Sequence, residues 1–312
     1  MALRLECTPE ILEAYRACER QLEAVQTPFI AAARRLEDTH RRHAYYAAYV
    51  SLRVLAPRTL PAPRGRATSL EGARREIRAW SDAARLCHQG RPDLARPDQV
   101  ALADAMARFG LPMTPWLRIQ QGLEEIAEEK MIADLHGLIE RARLIGASQS
   151  WVFLRILLAS PGVRRYRVPN DLDVEELSHD PGVFGFIVRR MIEVFSELNA
   201  SGASVGLPED LLDRHGLTGA QLGEMRGLVR APRAFYELMN DLSHVAWRFY
   251  DSGVAKLAQS AASLIPGAVP QLDRILEGYK GALRAAQQQE FAPAALEALA
   301  GSRRGQAPAD GG

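Results

Sequence analysis

The chain has 312 residues, 47% of them hydrophobic, and its 39 basic and 38 acidic residues leave a formal net charge of +1. This overall balance gives no electrostatic footprint for a nucleic-acid partner or an anionic membrane surface, and the apolar content suffices for a substantial core. The three scattered cysteines (Cys7, Cys18 and Cys87) argue against a disulfide framework and predict a reducing, cytoplasmic compartment. The charged amino-terminal residues predict no signal peptide, and no run reaches the about 18 apolar residues of a membrane span.

Apolar periodicity predicts helices along nearly the whole chain, and strand-like alternation is almost absent. In chain order the predicted helices are 9–25, 29–55 with a break near His40, 69–85, 98–109, 115–127, 133–158, 183–198, 209–215, 218–228, 232–264 and 270–289. Residues 57–66, 90–97 and 169–181 are predicted loops, because prolines, glycines or acidic residues dominate them. No repeat or shift in composition divides the chain, so we expect one domain over 1–300 and a disordered polar tail at 301–312.

Tyr46, Tyr49 and Arg53 share one face of the second long helix, at spacings i, i+3 and i+7. This run resembles the first motif of the squalene/phytoene synthase family, in which a YxxYxxCR-type helix leads into a cluster of aspartates. In that family the aspartates hold magnesium, and magnesium holds a prenyl diphosphate. Here the residues that follow the helix are Ala56, Pro57, Arg58, Thr59 and Leu60, so the resemblance implies the fold without this metal site.

Further segments match the family in the same order, over roughly residues 25 to 285. Thr27–Phe29 stands at the position of the family's Ser-Phe-Tyr-like start, and Leu102–Pro112 resembles its "LADTVRRFGLP" stretch. Gly122–Glu125 resembles "GMExD", and 206–217 resembles "YLPxEDLxxxGL" with one residue fewer. In the "YRVAGTVG" helix, Arg143 and Gly146 match, whereas Ala142 replaces the tyrosine and Gln149 the last glycine.

The second aspartate motif of the family, "NILRDxxxD", is also altered. Counting back from Pro208 places Glu193 on its asparagine, Glu197 on its first aspartate and Ser201 on its second. The resemblance implies an all-α, single-domain, isoprenoid-synthase-like bundle with a central hydrophobic cavity. It also implies head-to-head condensation of two prenyl diphosphates with several magnesium ions, but the carboxylates for that reaction are missing. We therefore expect no cofactor, beyond a single magnesium ion that Glu193 and Glu197 could share.

Glu193 and Glu197 lie one helical turn apart, so both carboxylates share a face and suit acid–base chemistry as well as cation binding. The alternative is a solvated face, paired with Arg189 and Arg190 one turn earlier. Arg143, if it faces inward, can hold an anionic substrate bidentately or neutralise one of these glutamates. The tyrosines of the second helix either pack the core or line the mouth of the cavity together with Arg53.

His244, beside Asn240 on the last long helix, is a candidate general base or ligand contact, or else a hydrogen-bonded core histidine. A more remote alternative is a carboxylate/His di-iron site, because three acid–histidine pairs have i, i+3 spacing: Glu37/His40, Glu176/His179 and Asp241/His244. Aromatic residues that are expected to pack the core or wall the cavity are Trp151, Phe153, Phe184, Phe186, Phe195, Phe235, Trp247 and Tyr250.

Two functions of different class follow. In the first, the protein is a repurposed enzyme, a non-standard transferase or cyclase for a hydrophobic or isoprenoid-like small molecule. Its predicted catalytic residues are Glu193, Glu197 and His244, and its predicted substrate-binding residues are Tyr46, Tyr49, Arg53, Arg143, Gln149 and Asn240. In the second, it is a catalytically silent relative that acts as a partner subunit or assembly factor through an exposed apolar surface. Peripheral contact with a membrane and a protein partner are compatible with both.

Overall fold

The computed structural model describes residues 7–25, 27–53, 70–128, 130–162, 165–170, 172–196, 206–260 and 268–304. Within these ranges the chain forms fourteen α-helices and one antiparallel ribbon with two residues in each strand. The predicted all-α fold class is therefore confirmed. Of the helices in these ranges, none combines the length and the apolar character needed to span a membrane.

The helices, in chain order, are α1 (Pro9–Gln21), α2 (Pro28–Ala33), α3 (Thr39–Arg53), α4 (Leu70–His88), α5 (Pro97–Phe109), α6 (Thr114–Ala127), α7 (Leu135–Ala142), α8 (Ser148–Leu158), α9 (Val174–Glu193), α10 (Glu209–Arg214), α11 (Gly219–Glu224), α12 (Arg233–Gln259), α13 (Ala268–Gln288) and α14 (Pro293–Arg304). A π-helical turn (Arg143–Ala147) joins α7 to α8, and a 3₁₀ turn (Val194–Ser196) follows α9. The strands β1 (Ser160–Pro161) and β2 (Tyr166–Arg167) form the ribbon between α8 and α9.

Helix α9 lies in the middle of the bundle and packs against α8, α12, α13, α14 and the π-helical turn. Every residue from Gly182 to Val188 is buried, so the helix is enclosed on all sides. A helix that is apolar all round is stable only in such a surrounding. Side chains on α9 and its neighbours therefore define the interior of the protein.

Two glycines allow α9 to touch the π-helical turn backbone to backbone. A Cβ atom on Gly146 would lie 2.4 Å from the carbonyl oxygen of Gly182, and a Cβ atom on Gly182 would lie 2.4 Å from the Cα atom of Ala147. Real Cβ atoms do not come this close to backbone, so only glycine fits at both positions. The match of Gly146 to the family motif thus has a packing reason.

The predicted loop at 169–181 is wrong, because α9 begins at Val174 and continues through Pro181. The side chain of Asp173 caps the helix by accepting a hydrogen bond from the amide of Glu176 (3.0 Å). A proline inside a helix costs about 3 kcal/mol or more, but the burial of the turns on both sides outweighs that cost. The cap signal, Asp173 with Glu176 three residues later, was present in the sequence.

The carboxyl-terminal boundary also differs from the prediction. Helix α14 was not predicted, and it extends to Arg304, so a disordered tail from residue 301 is wrong for residues 301–304. The turn before α14 places Phe291 at φ +52° with its ring fully buried. Burial of this ring holds the backbone in a conformation that non-glycine residues seldom adopt. Residues 305–312 lie outside the described residues, as does the predicted loop at 57–66.

The break in the second predicted helix is confirmed, since α2 ends at Ala33 and α3 starts at Thr39. Asp38 starts α3 by accepting hydrogen bonds from the amides of His40 (2.9 Å) and Arg41 (3.2 Å). These bonds satisfy two of the amides that a helix start leaves unpaired. They fix the beginning of the helix that carries the predicted tyrosines.

Candidate functional site

The inward face of α3 is formed by Tyr45 and Tyr49, which are four residues apart. The ring of Tyr45 stacks on Phe153 of α8 at 4.4 Å between centroids, and the ring of Tyr49 lies 6.1 Å from the same phenylalanine. Tyr46, which was predicted to share the inner face with Tyr49, lies one position away from this contact. Arg53 ends α3, and its side chain lies outside the described part of the structure.

Tyr46 is also buried (3% exposed) and belongs to the hydrophobic core, although charged groups lie near its hydroxyl. Burial raises the pKa of that hydroxyl, as does the charge of Glu19, whereas Arg34 and Arg42 lower it. Arg34 itself donates hydrogen bonds to the carbonyl oxygens of Leu22 (3.1 Å) and Glu23 (2.8 Å) at the end of α1. The alternative that Tyr46 packs the core is therefore confirmed, and its role in substrate binding stays a prediction.

We call the rings that meet in the interior the aromatic core: Phe29, Tyr45, Tyr49, Phe153, Phe184 and Tyr279. Phe29 lies 4.8 Å from Phe153 and 5.9 Å from Tyr279, and Phe184 lies 6.4 Å from Tyr279. Gly185 of α9 leaves room for the ring of Tyr279, since a Cβ atom there would be 3.2 Å from it. The core thus joins α2, α3, α8, α9 and α13.

The hydroxyl of Tyr45 is the unusual group in the aromatic core. The residue is 0% exposed, and its oxygen has no hydrogen-bond partner within the part of the chain that the structure describes. Burial raises the pKa of this hydroxyl well above its usual range, and the nearby hydroxyls of Tyr279 and Tyr49 raise it further. A buried, unpaired hydroxyl costs about 1–3 kcal/mol, so native proteins seldom keep one without a use.

Glu193 lies at the carboxyl end of α9, and its side chain is only 8% exposed. It accepts a hydrogen bond from Nε of Arg189 (2.9 Å) at the i, i+4 spacing. The guanidinium of Arg190 lies over the ring of Phe186 at 4.6 Å. Glu193 is therefore buried and ion-paired within its own helix. Glu197 lies outside the described residues, so a site shared by the two glutamates stays a prediction.

Arg143 does not face the interior, and the prediction that it neutralises one of these glutamates is wrong for Glu193, whose ion pair is with Arg189. The side chain of Arg143 is about half exposed and donates hydrogen bonds to Oε1 of Glu140 (2.6 Å) and Nε2 of His179 (2.8 Å). The π-helical turn that begins at Arg143 rotates the following residues relative to α7. Gln149 is half-buried in the first turn of α8.

His244 is exposed on α12, so the alternative of a core histidine is wrong. Its Nε2 lies 3.2 Å from Nδ2 of Asn240, one turn earlier on the same helix. The two residues share a face, as the sequence predicted, and His244 is exposed on it. Their roles in catalysis and binding stay predictions.

The three acid–histidine pairs of the di-iron alternative do not converge. His40 lies 4.0 Å from Sγ of Cys7, Asp241 contacts His215 at 3.1 Å, and His179 contacts Asp180 at 2.6 Å. In the described ranges, no three His, Cys, Asp or Glu side chains are grouped so that they could hold a metal ion. The described residues therefore fit neither a di-iron site nor the multi-magnesium centre that the resemblance implies.

A network that the sequence analysis missed joins α7, α9 and α12. Asp180 accepts hydrogen bonds from Oγ of Ser252 (2.6 Å) and contacts Nδ1 of His179 (2.6 Å) and Nζ of Lys256 (2.9 Å). Lys256 also pairs with Glu176, and His179 accepts the bond from Arg143. We call this chain the polar clamp: Glu140, Arg143, Glu176, His179, Asp180, Ser252 and Lys256. Asp180 and its neighbours were read as loop residues, which hid their pairing.

The electrostatics of the polar clamp point to a structural role. Burial alone would raise the pKa of Asp180, but the bonds from His179, Ser252 and Lys256 hold it well below its usual range. Because Nε2 of His179 accepts from Arg143, its Nδ1–H donates to Asp180. Both ring nitrogens are then occupied, and no nitrogen is left to act as a base.

A surface cavity of about 410 Å³ lies beside the first turn of α9. Its lining residues are Trp151, Arg155, Asn170, Leu172, Asp173, Val174 and Glu175. Arg118 lies over Trp151 at 5.5 Å and pairs with Glu175 at 2.7 Å. None of the predicted site residues lines this cavity.

No family model matches the chain, and no curated protein is similar to it in sequence. Its fold is similar to that of squalene synthase HpnC from Alicyclobacillus acidocaldarius, with a TM-score of 0.71 and 17% identity over 92% of this chain and 98% of that chain. It is also similar to a dehydrosqualene synthase solved with a ligand (TM-score 0.73, 15% identity, 95% of this chain and 97% of that chain). YisP from Bacillus subtilis subsp. subtilis strain 168 is a third similar structure (TM-score 0.62, 15% identity, 91% and 90%). The squalene/phytoene-synthase-like fold is thus shown, and the predicted resemblance is confirmed at the level of fold.

Proposed function

We propose that the protein binds a hydrophobic, isoprenoid-like molecule against the aromatic core and acts on it as a transferase or cyclase that needs no multi-magnesium centre. The observation that carries this proposal is the fully buried hydroxyl of Tyr45, which lies among apolar rings and lacks a hydrogen-bond partner among the described residues. A ligand with one oxygen acceptor would satisfy that hydroxyl, while its hydrocarbon part would pack on Phe153 and Phe29.

The chemistry of the site suits a substrate without a diphosphate. Aromatic faces stabilise a developing positive charge, as in a cyclisation, without any metal. Glu193 and Glu197 are the proposed acid–base groups, because Glu193 ends α9 and Glu197 follows it four residues later in the sequence. The residues after α3, from Ala56 to Leu60, include no carboxylate that could hold magnesium against a diphosphate.

The binding step is tested by titrating the protein with farnesol in detergent-free buffer and by native mass spectrometry of the freshly purified chain. Tyr45→Phe should weaken farnesol binding about fivefold, the loss of a hydrogen bond worth about 1 kcal/mol. Tyr46→Phe is the matched control, since it removes the same atom one residue away, outside the aromatic core, and should bind as the wild type does. Equal affinity of the two variants, or no binding to the wild type, would contradict the proposal.

The catalytic step is tested in two ways. Incubation with prenyl diphosphates and Mg²⁺ should give no squalene and no phytoene by mass spectrometry, because the aspartate clusters are absent. Once a ligand from the purified protein supplies a substrate, Glu197→Gln should abolish turnover and leave the melting temperature nearly unchanged. Full turnover in this variant would remove the carboxylate from the mechanism.

A second candidate is a catalytically silent relative that serves as a partner subunit or assembly factor. It is favoured by the close contacts within the aromatic core, where Tyr45, Phe153 and Phe29 already stack on one another. The carboxylate of Glu193, one of the proposed acid–base groups, is also already ion-paired with Arg189. A purified protein that carries no ligand, does not bind farnesol and co-purifies with a stoichiometric protein partner would establish this second function.

A further inference from the structure

The turn between α11 and α12 presents two apolar side chains to solvent. Leu228 is 41% exposed and Val229 is 82% exposed, and we call these two residues the apolar tip. Gly227, directly before them, has φ +72° and permits the sharp turn. Most exposed apolar side chains in a soluble protein stand alone, so two adjacent ones in a single turn are a distinct feature.

The apolar tip is held rigidly by the elements around it. The amide of Leu228 donates to the carbonyl of Met225 (3.1 Å), and the carbonyl of Leu228 accepts from the amide of Ala294 in α14 (2.9 Å). The side chain of Arg226 donates to the carbonyl oxygen of Phe195, which anchors the turn to the end of α9. Because its backbone is fixed on both sides, the tip can insert into a neighbouring surface without first ordering itself.

Arginines surround the apolar tip. Residues 226–233 contain Arg226, Arg230 and Arg233 and no acidic residue, and all three are exposed. The nearest acid after them, Glu237, is engaged by Nε of Arg233 (2.7 Å). Tyr236, on the first turn of α12, is 40% exposed and lies 6.0 Å from the ring of Phe291. An exposed apolar pair with basic and aromatic neighbours matches the layered chemistry of a bilayer interface.

We propose that the apolar tip docks the protein onto an anionic membrane surface, with Leu228 and Val229 entering the acyl boundary and Arg226, Arg230 and Arg233 lying among anionic headgroups. Two side chains on a projecting turn are too small for a stable protein interface, which covers about 800 Å² on each partner. An apolar insertion combined with a basic ring is enough for reversible binding to a bilayer. This proposal does not depend on the proposed reaction.

The experiment is co-sedimentation of the full chain with vesicles of phosphatidylcholine mixed with phosphatidylserine, and with vesicles of phosphatidylcholine alone. The wild type should bind the mixed vesicles and lose binding as salt rises, because the attraction to headgroups is screened. Arg230→Gln should lower the partition coefficient about fivefold, since one basic residue near such a surface contributes about 1 kcal/mol. The double variant Val229→Ser/Arg230→Gln should bind more weakly than Arg230→Gln alone. Val229→Trp should raise binding, a result that misfolding of the variant could not produce.

Leu94→Ser is the matched control, because Leu94 is also 82% exposed on a turn, between α4 and α5. There the leucine has two acidic neighbours in the sequence, Asp93 and Asp98, whereas residues 226–233 contain no acidic residue. This variant should bind vesicles as the wild type does. The proposal is overturned if the wild type does not bind mixed vesicles, or if Leu94→Ser weakens binding as much as Val229→Ser. It is equally overturned if the tip variants change the sedimentation coefficient of the protein without lipid, since the tip would then be a protein interface.

Discussion

The polar clamp and the aromatic core both include residues of α9, but they differ in whether their buried polar groups have hydrogen-bond partners. In the polar clamp, Asp180 has three partners, and each of those partners except Ser252 has a second one. In the aromatic core, Tyr45 is fully buried, and its hydroxyl has no hydrogen-bond partner in the described ranges. A satisfied buried network stabilises the fold, whereas an unsatisfied group lowers stability unless a ligand completes it.

Charge and burial do not by themselves mark a functional site in this protein. The polar clamp includes a histidine and a serine that both bond the same aspartate, yet both ring nitrogens of the histidine are occupied. The aromatic core contains no charged residue, yet it contains the buried Tyr45 hydroxyl, which has no hydrogen-bond partner among the described residues. Variants of each region, and of the glycines that position α9 between them, should therefore separate stability from binding.

The largest effect is expected from Gly182→Ala, at the crossing of α9 and the π-helical turn. The new Cβ atom would lie 2.4–2.6 Å from backbone atoms of Gly146 and Ala147, so two helices must move apart. We expect a loss of about 3 kcal/mol or more in the free energy of unfolding, measured by urea denaturation. Gly281→Ala in α13 is the control, because nothing lies within 4 Å of its Cβ position, and it should gain about 0.5–1 kcal/mol.

Asp180→Ala should cost about 3 kcal/mol, because it leaves Lys256 and His179 without their buried partner. The pKa of Asp180 is held well below its usual range, so its contribution is present above the unfolded value of about 4 and is lost as pH falls through the folded pKa. The difference in stability between wild type and variant should therefore be constant near neutral pH and shrink in strong acid. A difference that grows as pH falls would contradict the assignment.

Glu193→Gln should have a smaller effect, about 1 kcal/mol, because Arg189 is partly solvated and glutamine still accepts its hydrogen bond. Thermal unfolding of this variant beside Asp180→Ala compares the two ends of α9 directly. If Glu193→Gln proves as damaging as Asp180→Ala, the carboxyl end of α9 is also a structural clamp, and the acid–base role proposed for Glu193 loses its support.

The smallest effect, with the opposite sign, is expected from Tyr45→Phe in the ligand-free protein. Removing an unpaired buried hydroxyl should raise the free energy of unfolding by about 1 kcal/mol. Tyr46→Phe, beside Arg34 and Glu19, should leave stability unchanged or lower it slightly. A clear loss of stability in Tyr45→Phe would show that its hydroxyl already has a hydrogen-bond partner. The aromatic core would then not differ from the polar clamp in the pairing of its buried polar groups.

Prediction from sequence succeeded where one element decides the outcome and failed where two elements meet. Apolar periodicity identified most of the helices, and the break before Thr39 followed from local signals. The spacing of Tyr46 and Tyr49 predicted a buried face of α3, but only the position of Phe153 on α8 shows that Tyr45 belongs to that face and stacks on this ring. Arg143 was expected inside because the π-helical turn, which alters the phase of the helix, has no sequence signal.

The sequence by itself determined that this protein is helical, and it carried enough of the family pattern to indicate the fold. It also shows that no carboxylate follows the first motif at residues 56–60, because the identity of a residue does not depend on the fold. Only the tertiary structure decided that α9 begins at Val174 and passes through Pro181, since long-range burial there outweighs a local penalty. The same holds for the partners of Asp180 and the isolation of the Tyr45 hydroxyl, because hydrogen bonding between distant segments is set by packing and not by propensity.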